Sequence, residues 1–145
     1  MDKPITSGLR STFLVHWVIS LLLGVPLFFI PGRTLTALGW VQQTVQLPEG
    51  GLTLPGTYFV DGVLMRLLGV ALIALAWSSL RGWRAENYSQ VAILVQMEVV
   101  FCVLGVVGFI AGFVMTGRTI PFIGYALILV LALFAVAWSF GLRRS

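Results

Sequence analysis

Apolar residues fall in four long runs along the chain, and polar residues crowd into the segments between them. The runs are roughly Phe13–Ile30, Val63–Leu80, Val91–Met115 and Ile120–Phe140. Each matches the ~17–25 helical residues that cross a hydrocarbon layer. Backbone polar groups in lipid must be satisfied within the chain, so runs of this length predict helices. The pattern predicts an all-α fold, an integral membrane four-helix bundle filling residues 1–145 as one domain. Its transmembrane helices span residues 12–30, 61–80, 90–115 and 120–141, and a long outer loop spans 31–60. The short links Arg81–Gln90 and Thr116–Pro121 make neighbouring helices antiparallel.

Within the outer loop, Thr34–Gly39 reads as a short turn or helix on the membrane surface. Val41–Leu47 alternates roughly apolar with polar, Pro48-Glu49-Gly50-Gly51 reads as a turn, and a small hairpin with Leu52–Thr57 is predicted. A loop of this length packs over a domain or carries function. Here it is expected to cap the outer face and to meet a partner. Pro26 interrupts the first helix near its outer end and predicts a kink there. Ser20, a neighbouring helix or water would satisfy the freed carbonyl.

Composition points the same way. Hydrophobic residues make up 59% of the chain and charged residues 10%, against ~25% charged in a soluble domain. Mean hydropathy is +1.01. The net charge of +4 is not a nucleic-acid signal here, because basic residues at helix ends are what membrane topology requires. Lys3, Arg10, Arg81, Arg84, Arg143 and Arg144 fall on one side of four crossings, whereas Arg33 and Arg118 fall on the other. By the positive-inside tendency both termini face the cytoplasm. The expected location is the cell membrane, as a multi-pass protein of a bacterial inner membrane. Trp17, Trp77, Trp83, Tyr88 and Trp138 then mark the cytoplasmic interface, with Trp40, Tyr58 and Tyr125 near the outer one. Lys3 and Arg10 ahead of an apolar core resemble a signal peptide. That core is long and runs into Pro31-Gly32-Arg33, so it reads as a retained first helix.

Four polar residues lie inside the apolar runs, where ionisable groups cost ~2.5–3.5 kcal/mol at the bilayer centre and face protein or water. Glu98 sits roughly 10 Å in from the cytoplasmic end of the third run at 1.5 Å per residue. Gly105 and Gly112 follow it at sevens, with Gly108 between them, and this small-residue face predicts close approach of another helix or subunit. Glu98 is either a proton-titrating or cation-contacting carboxylate, or a hydrogen-bonded link between helices. His16 differs from it by ~6 Å in depth, close enough for contact, and Ser20 shares its face. Beside Trp17, His16 also reads as a plain headgroup histidine. Arg66 leans outward along the second run, toward lipid phosphates, Asp61, or an outward cavity with Tyr125 and Arg118. Gln96 falls opposite Glu98 and points to another helix or subunit.

Other chemistry is missing from the sequence. It has no P-loop, dinucleotide fingerprint, HExxH, CxxC or Gly-x-Ser-x-Gly motif. Cys102, the sole cysteine, allows no intrachain disulfide and reads as a small buried hydrophobe. One histidine gives poor grounds for a metal centre. No catalytic, cofactor or metal residue is assigned, and a quinone or a lipid is the ligand class left open.

From Phe28-Phe29-Ile30-Pro31-Gly32-Arg33 through Leu38-Gly39-Trp40 to Asp61 and Arg66-Leu67-Leu68-Gly69-Val70-Ala71-Leu72, the chain resembles the small four-helix DoxX-like bacterial membrane proteins. The match covers about a third of the chain, and the long outer loop departs from it. The resemblance implies a four-helix bundle and association with quinone-linked oxidoreductase complexes. Three readings follow. The first is a non-catalytic membrane protein, an accessory subunit of a complex or a self-associating bundle. The second is a small transporter or hydrophobic-ligand binder using Glu98. The third is a quinone-interacting redox subunit. The partners expected are the lipid bilayer and either other membrane subunits or a homo-oligomer.

Overall fold

Thr6 opens the first helix. Its backbone is extended and its hydroxyl accepts the Leu9 N–H at 3.3 Å, a cap that stabilises a helix start by about 1 kcal/mol. From there α1 runs over Ser7–Phe29. The computed structural model describes residues 3–40, 62–116 and 121–143. In it α1 is followed by a short α2 (Pro31–Ala37), α3 (Gly62–Arg84), one 3-10 turn (Tyr88–Gln90), α4 (Ala92–Thr116) and α5 (Phe122–Arg143). The fold is all-α. Helices α1, α3, α4 and α5 are each long and apolar enough to cross a membrane. α1 begins at Ser7 rather than residue 12, and α3 runs on to Arg84 rather than residue 80. Both extensions are polar turns that helical hydrogen bonding carries past the apolar run.

α1 continues through Pro26 and ends at Phe29, with the Ile30 N–H still bonded to the Pro26 carbonyl at 2.8 Å. Pro31 then starts α2, earlier than the predicted turn at Thr34, at a position where its missing N–H costs nothing. Gly39, at φ +67°, stops α2. The Gly39 N–H bonds Thr36 O at 3.0 Å and the Trp40 N–H bonds Leu35 O at 2.9 Å. This double closure needs a left-handed residue at its first step, which glycine supplies without strain. It delivers the Trp40 ring onto α4, with centroids 5.9 Å from both Phe109 and Phe113. The predicted hairpin, its turn at Pro48–Gly51, and Tyr58, Asp61, Arg118 and Arg144 lie outside the described residues.

The long helices form two pairs, α1 with α3 and α4 with α5, and α1 also meets α5. Small residues bring the first pair together. A Cβ built on Gly69 would lie 2.6 Å from the Phe28 backbone nitrogen and 2.8 Å from the Gly24 carbonyl oxygen. Neither backbone atom can yield cheaply. Further along, the Phe13 ring occupies the space where Gly82 would carry a Cβ. The other side of that ring meets Trp138 edge-on, with centroids 4.7 Å apart. The core therefore gathers at one end of the bundle: Ile5, Leu9, Phe13, Val91, Val95, Cys102, Phe134 and Trp138.

That end also holds the described parts of both chain ends. Lys3 O accepts the Tyr88 N–H at 2.9 Å, and the Ile5 N–H donates to Glu86 O at 3.1 Å. The Arg10 guanidinium adds a bond to Ala85 O at 3.3 Å. A Cβ on Gly141 would sit 3.0 Å from Leu9 and 3.6 Å from Val95. The four long helices thus run alternately up and down and return to their starting face. One expectation is corrected here. Trp138, read as an interfacial residue, is fully buried, whereas Trp77 is 64% exposed. Depth places an aromatic ring near the headgroups, but the helix face decides whether it meets lipid or protein.

The glycines give a paired prediction. Gly69→Ala should lower stability in mild detergent by about 1–3 kcal/mol, the cost of overpacking. Gly108→Ala, where a Cβ meets nothing within 4 Å, should be neutral or raise stability by up to about 1 kcal/mol through helix propensity. SDS titration followed by circular dichroism reads both.

Candidate functional site

The buried residues of α1 are Leu9, Phe13, His16, Ser20, Gly24 and Leu27, spaced by threes and fours. That spacing keeps them on one face of the helix, so His16 and Ser20 are drawn inward with the apolar residues around them. On α3 the buried positions are Gly69, Ala76, Ser79 and Gly82, all small. They let α1 come close enough for His16 to reach Ser79. Glu98 enters from α4 between buried Val95 and Cys102, while Phe134 and Trp138 close the site from α5.

His16 is the hub. Its Nδ1 lies 2.7 Å from the Ser79 hydroxyl oxygen. Its Nε2 lies 3.4 Å from the Ser20 hydroxyl oxygen and 3.6 Å from Glu98 Oε2. The last contact is an ion-pair distance, longer than a direct hydrogen bond. Phe134 and Trp138 stand edge-on to the imidazole, with centroids at 5.0 and 5.8 Å. His16 is 5% exposed and Glu98 2%, so the headgroup reading of His16 gives way to an interior position. Two buried polar atoms have no hydrogen-bond partner among the described residues: Glu98 Oε2 and Trp138 Nε1.

This arrangement has two protonation states that differ by one proton. With Ser79 donating to Nδ1, the Nε2–H faces the Glu98 carboxylate. With one further proton taken up, Glu98 is protonated and faces an unprotonated Nε2, while the ring proton sits on Nδ1 and is donated to Ser79 Oγ. Which tautomer is present follows from these bonds rather than from visible hydrogens. At 3.6 Å the contact is too long for a hydrogen bond, and Glu98 Oε2 has no other hydrogen-bond partner among the described residues.

The remaining candidates do not join the cluster. Arg66 is exposed and donates weakly to its own helix, to Gly62 O at 3.5 Å, which follows from the N-terminal lean of helical side chains. Gln96 is exposed on α4. Of the three glycines expected to admit a helix, Gly105 meets Leu131 at 3.0 Å from a built Cβ, while the same construction at Gly108 and Gly112 meets nothing within 4 Å. Close helix approach lies at Gly105, against α5, and at Gly24 and Gly69, between α1 and α3. Ser20, expected to share the His16 face and one of three alternatives for the carbonyl freed by Pro26, turns to His16. Among the described residues no group of three or more His, Cys, Asp or Glu side chains could hold a metal ion.

Ser79 was missed in the sequence. The signal available was its place in the small-residue series Gly69, Ala76, Ser79 and Gly82, which marks a packed face better than hydrophobicity does. Compared with known proteins, the chain matches no family, no curated protein and no solved structure.

Interhelical hydrogen bonds in membranes average about 0.6 kcal/mol and reach about 1.7. A double-mutant cycle with His16→Ala and Ser79→Ala should therefore give a coupling of about that size. Strict additivity of the two unfolding free energies would separate Ser79 from the cluster.

Proposed function

We propose that this chain is a non-catalytic multi-pass membrane protein that binds a small hydrophobic ligand at an intramembrane carboxylate, Glu98, as a binding protein or small transporter. The observation that supports this most is the unspent acceptor: Glu98 Oε2 is buried without a hydrogen-bond donor, at ion-pair distance from His16 Nε2, in a cluster drawn from α1, α3, α4 and α5. A residue kept only to join helices gains nothing from an unpaired oxygen, because a buried polar atom without a partner costs ~1–3 kcal/mol. Ionisable groups at membrane depth mark ligand, ion or proton pathways by default. Under this reading Glu98 contacts the ligand, His16 exchanges the proton with it, and Ser79 and Ser20 orient the imidazole.

A second reading is the accessory subunit or self-associating bundle. Gly108 favours it: glycine costs about 1 kcal/mol against alanine within a helix, and nothing described here uses the space beside it. A helix from another subunit would use it. For both readings the proposed location is the cell membrane of a bacterium, with both termini in the cytoplasm, since Lys3, Arg10, Arg81, Arg84 and Arg143 all lie toward the face that the chain ends share. Terminal reporter tags that respond only from outside the cytoplasm would overturn that orientation.

Purification from native membranes in mild detergent, followed by mass spectrometry of the intact complex, tests the ligand reading. The wild type should carry a small bound molecule, and Glu98→Gln should lose it at least tenfold. Identical spectra for the two proteins would remove Glu98 from the mechanism, and a co-purifying membrane protein would favour the second reading.

A further inference from the structure

Resting on the ligand reading of Glu98, we propose that the ligand is a lipophilic cation, and that it reaches the site sideways from the bilayer through a groove between α1 and α5. Phe134 is the wall it displaces.

Chemistry selects the charge. The site offers a carboxylate oxygen without a hydrogen-bond donor, and aromatic rings surround the imidazole that faces it. Phe134 and Trp138 both stand against His16, and Phe13 stands against Trp138. A buried carboxylate oxygen without a donor, beside an imidazole packed by aromatic rings, is an arrangement that recognises an ammonium group, whose N–H groups supply the missing donor. An anion would meet Glu98 with repulsion, and among the described residues no lysine or arginine joins the cluster to offset it, since Arg66 lies exposed elsewhere on α3.

Geometry selects the route. Between the cluster and the end of the bundle that holds the chain termini stand Phe13, Val91, Val95 and Trp138, each no more than 1% exposed. That direction is plugged. Sideways, a groove of about 330 Å³ opens between α1 and α5, walled by Val15 and Ile19 on one side and Val130, Leu133 and Ala137 on the other. Only the hydroxyl-bearing Ser11 and Thr12 give it a polar end. Val15 sits beside His16 in sequence, so the groove lies at the depth of the cluster. Phe134 belongs to both: it lines the groove and packs on the imidazole at 5.0 Å. An apolar body fits the groove while the cationic head passes the Phe134 ring to reach Glu98.

The test uses radiolabelled decylammonium with the purified full chain in mild detergent, and decanol as a neutral competitor. Binding to the wild type should be saturable and resistant to the neutral compound. Glu98→Gln should weaken it at least tenfold. Ala137→Phe, which fills the groove away from the cluster, should slow association at least tenfold. Phe134→Leu should speed both association and dissociation. Size exclusion and thermal unfolding select variants that fold as the wild type does. If Glu98→Gln loses binding while Ala137→Phe associates at the wild-type rate, the route is overturned and the carboxylate reading stands. Effective competition by the neutral compound overturns the cationic class. Absence of saturable binding overturns the proposal.

Discussion

A polar group in hydrocarbon has no water to fall back on, and the interior of this bundle is organised around that constraint. His16 brings two ring nitrogens into a region where each must find a partner or cost several kcal/mol. Nδ1 finds Ser79 across the α1–α3 contact. Nε2 faces Ser20 on its own helix and Glu98 on α4. One side chain thereby links three of the four long helices, and the fourth supplies the rings of Phe134 and Trp138 that keep the group dry. A leucine bundle in lipid gains nothing from apolar contact alone, since the tails are equally apolar. Hydrogen bonds and close steric fit must supply the specificity.

Steric fit comes from small residues. Gly24 and Gly69 allow α1 and α3 to touch backbone to backbone, and Gly82 admits the Phe13 ring. That ring in turn positions Trp138, and Trp138 packs on His16. The chain of contacts runs from a glycine with no side chain to the orientation of the imidazole. It also concentrates the core at the end where both termini and the α3–α4 link meet, tied by the bonds from Lys3 and Ile5 to that link. The polar cluster is covered toward that end, and Phe134 both packs on His16 and lines the groove between α1 and α5.

The helices were legible in the sequence because lipid leaves the backbone so few options that run length alone nearly decides them. Glu98, His16 and Ser20 were legible for a related reason: polar residues in hydrocarbon are costly, so their presence carries information. Ser79 was not, because a helical serine can satisfy itself on its own backbone, as Ser78 does with Leu75 O at 2.8 Å. Polarity does not separate the two. The burial of Trp138 was hidden because lipid and protein interior are both apolar, so hydrophobicity does not distinguish the two faces of α5. Residue size does distinguish faces, and the small positions on α3 were the clue. Of the α4 glycines, Gly105 lies close against Leu131 of α5; spacing shows that a helix tolerates close approach, but not which neighbour makes it.

The account stands on the imidazole of His16 being dry and held against Glu98. Because the chain has 1 histidine, nitrogen-15 labelling of histidine in bilayers reports on it without ambiguity. Solid-state NMR of protein carrying carbon-13 in its glutamate carboxyls should detect a through-space contact between the imidazole Nε2 and the Glu98 carboxyl carbon, with ring N–H signals that persist in deuterated buffer. Rapid exchange of the ring protons with no carboxyl contact would place His16 among the headgroups and contradict the account.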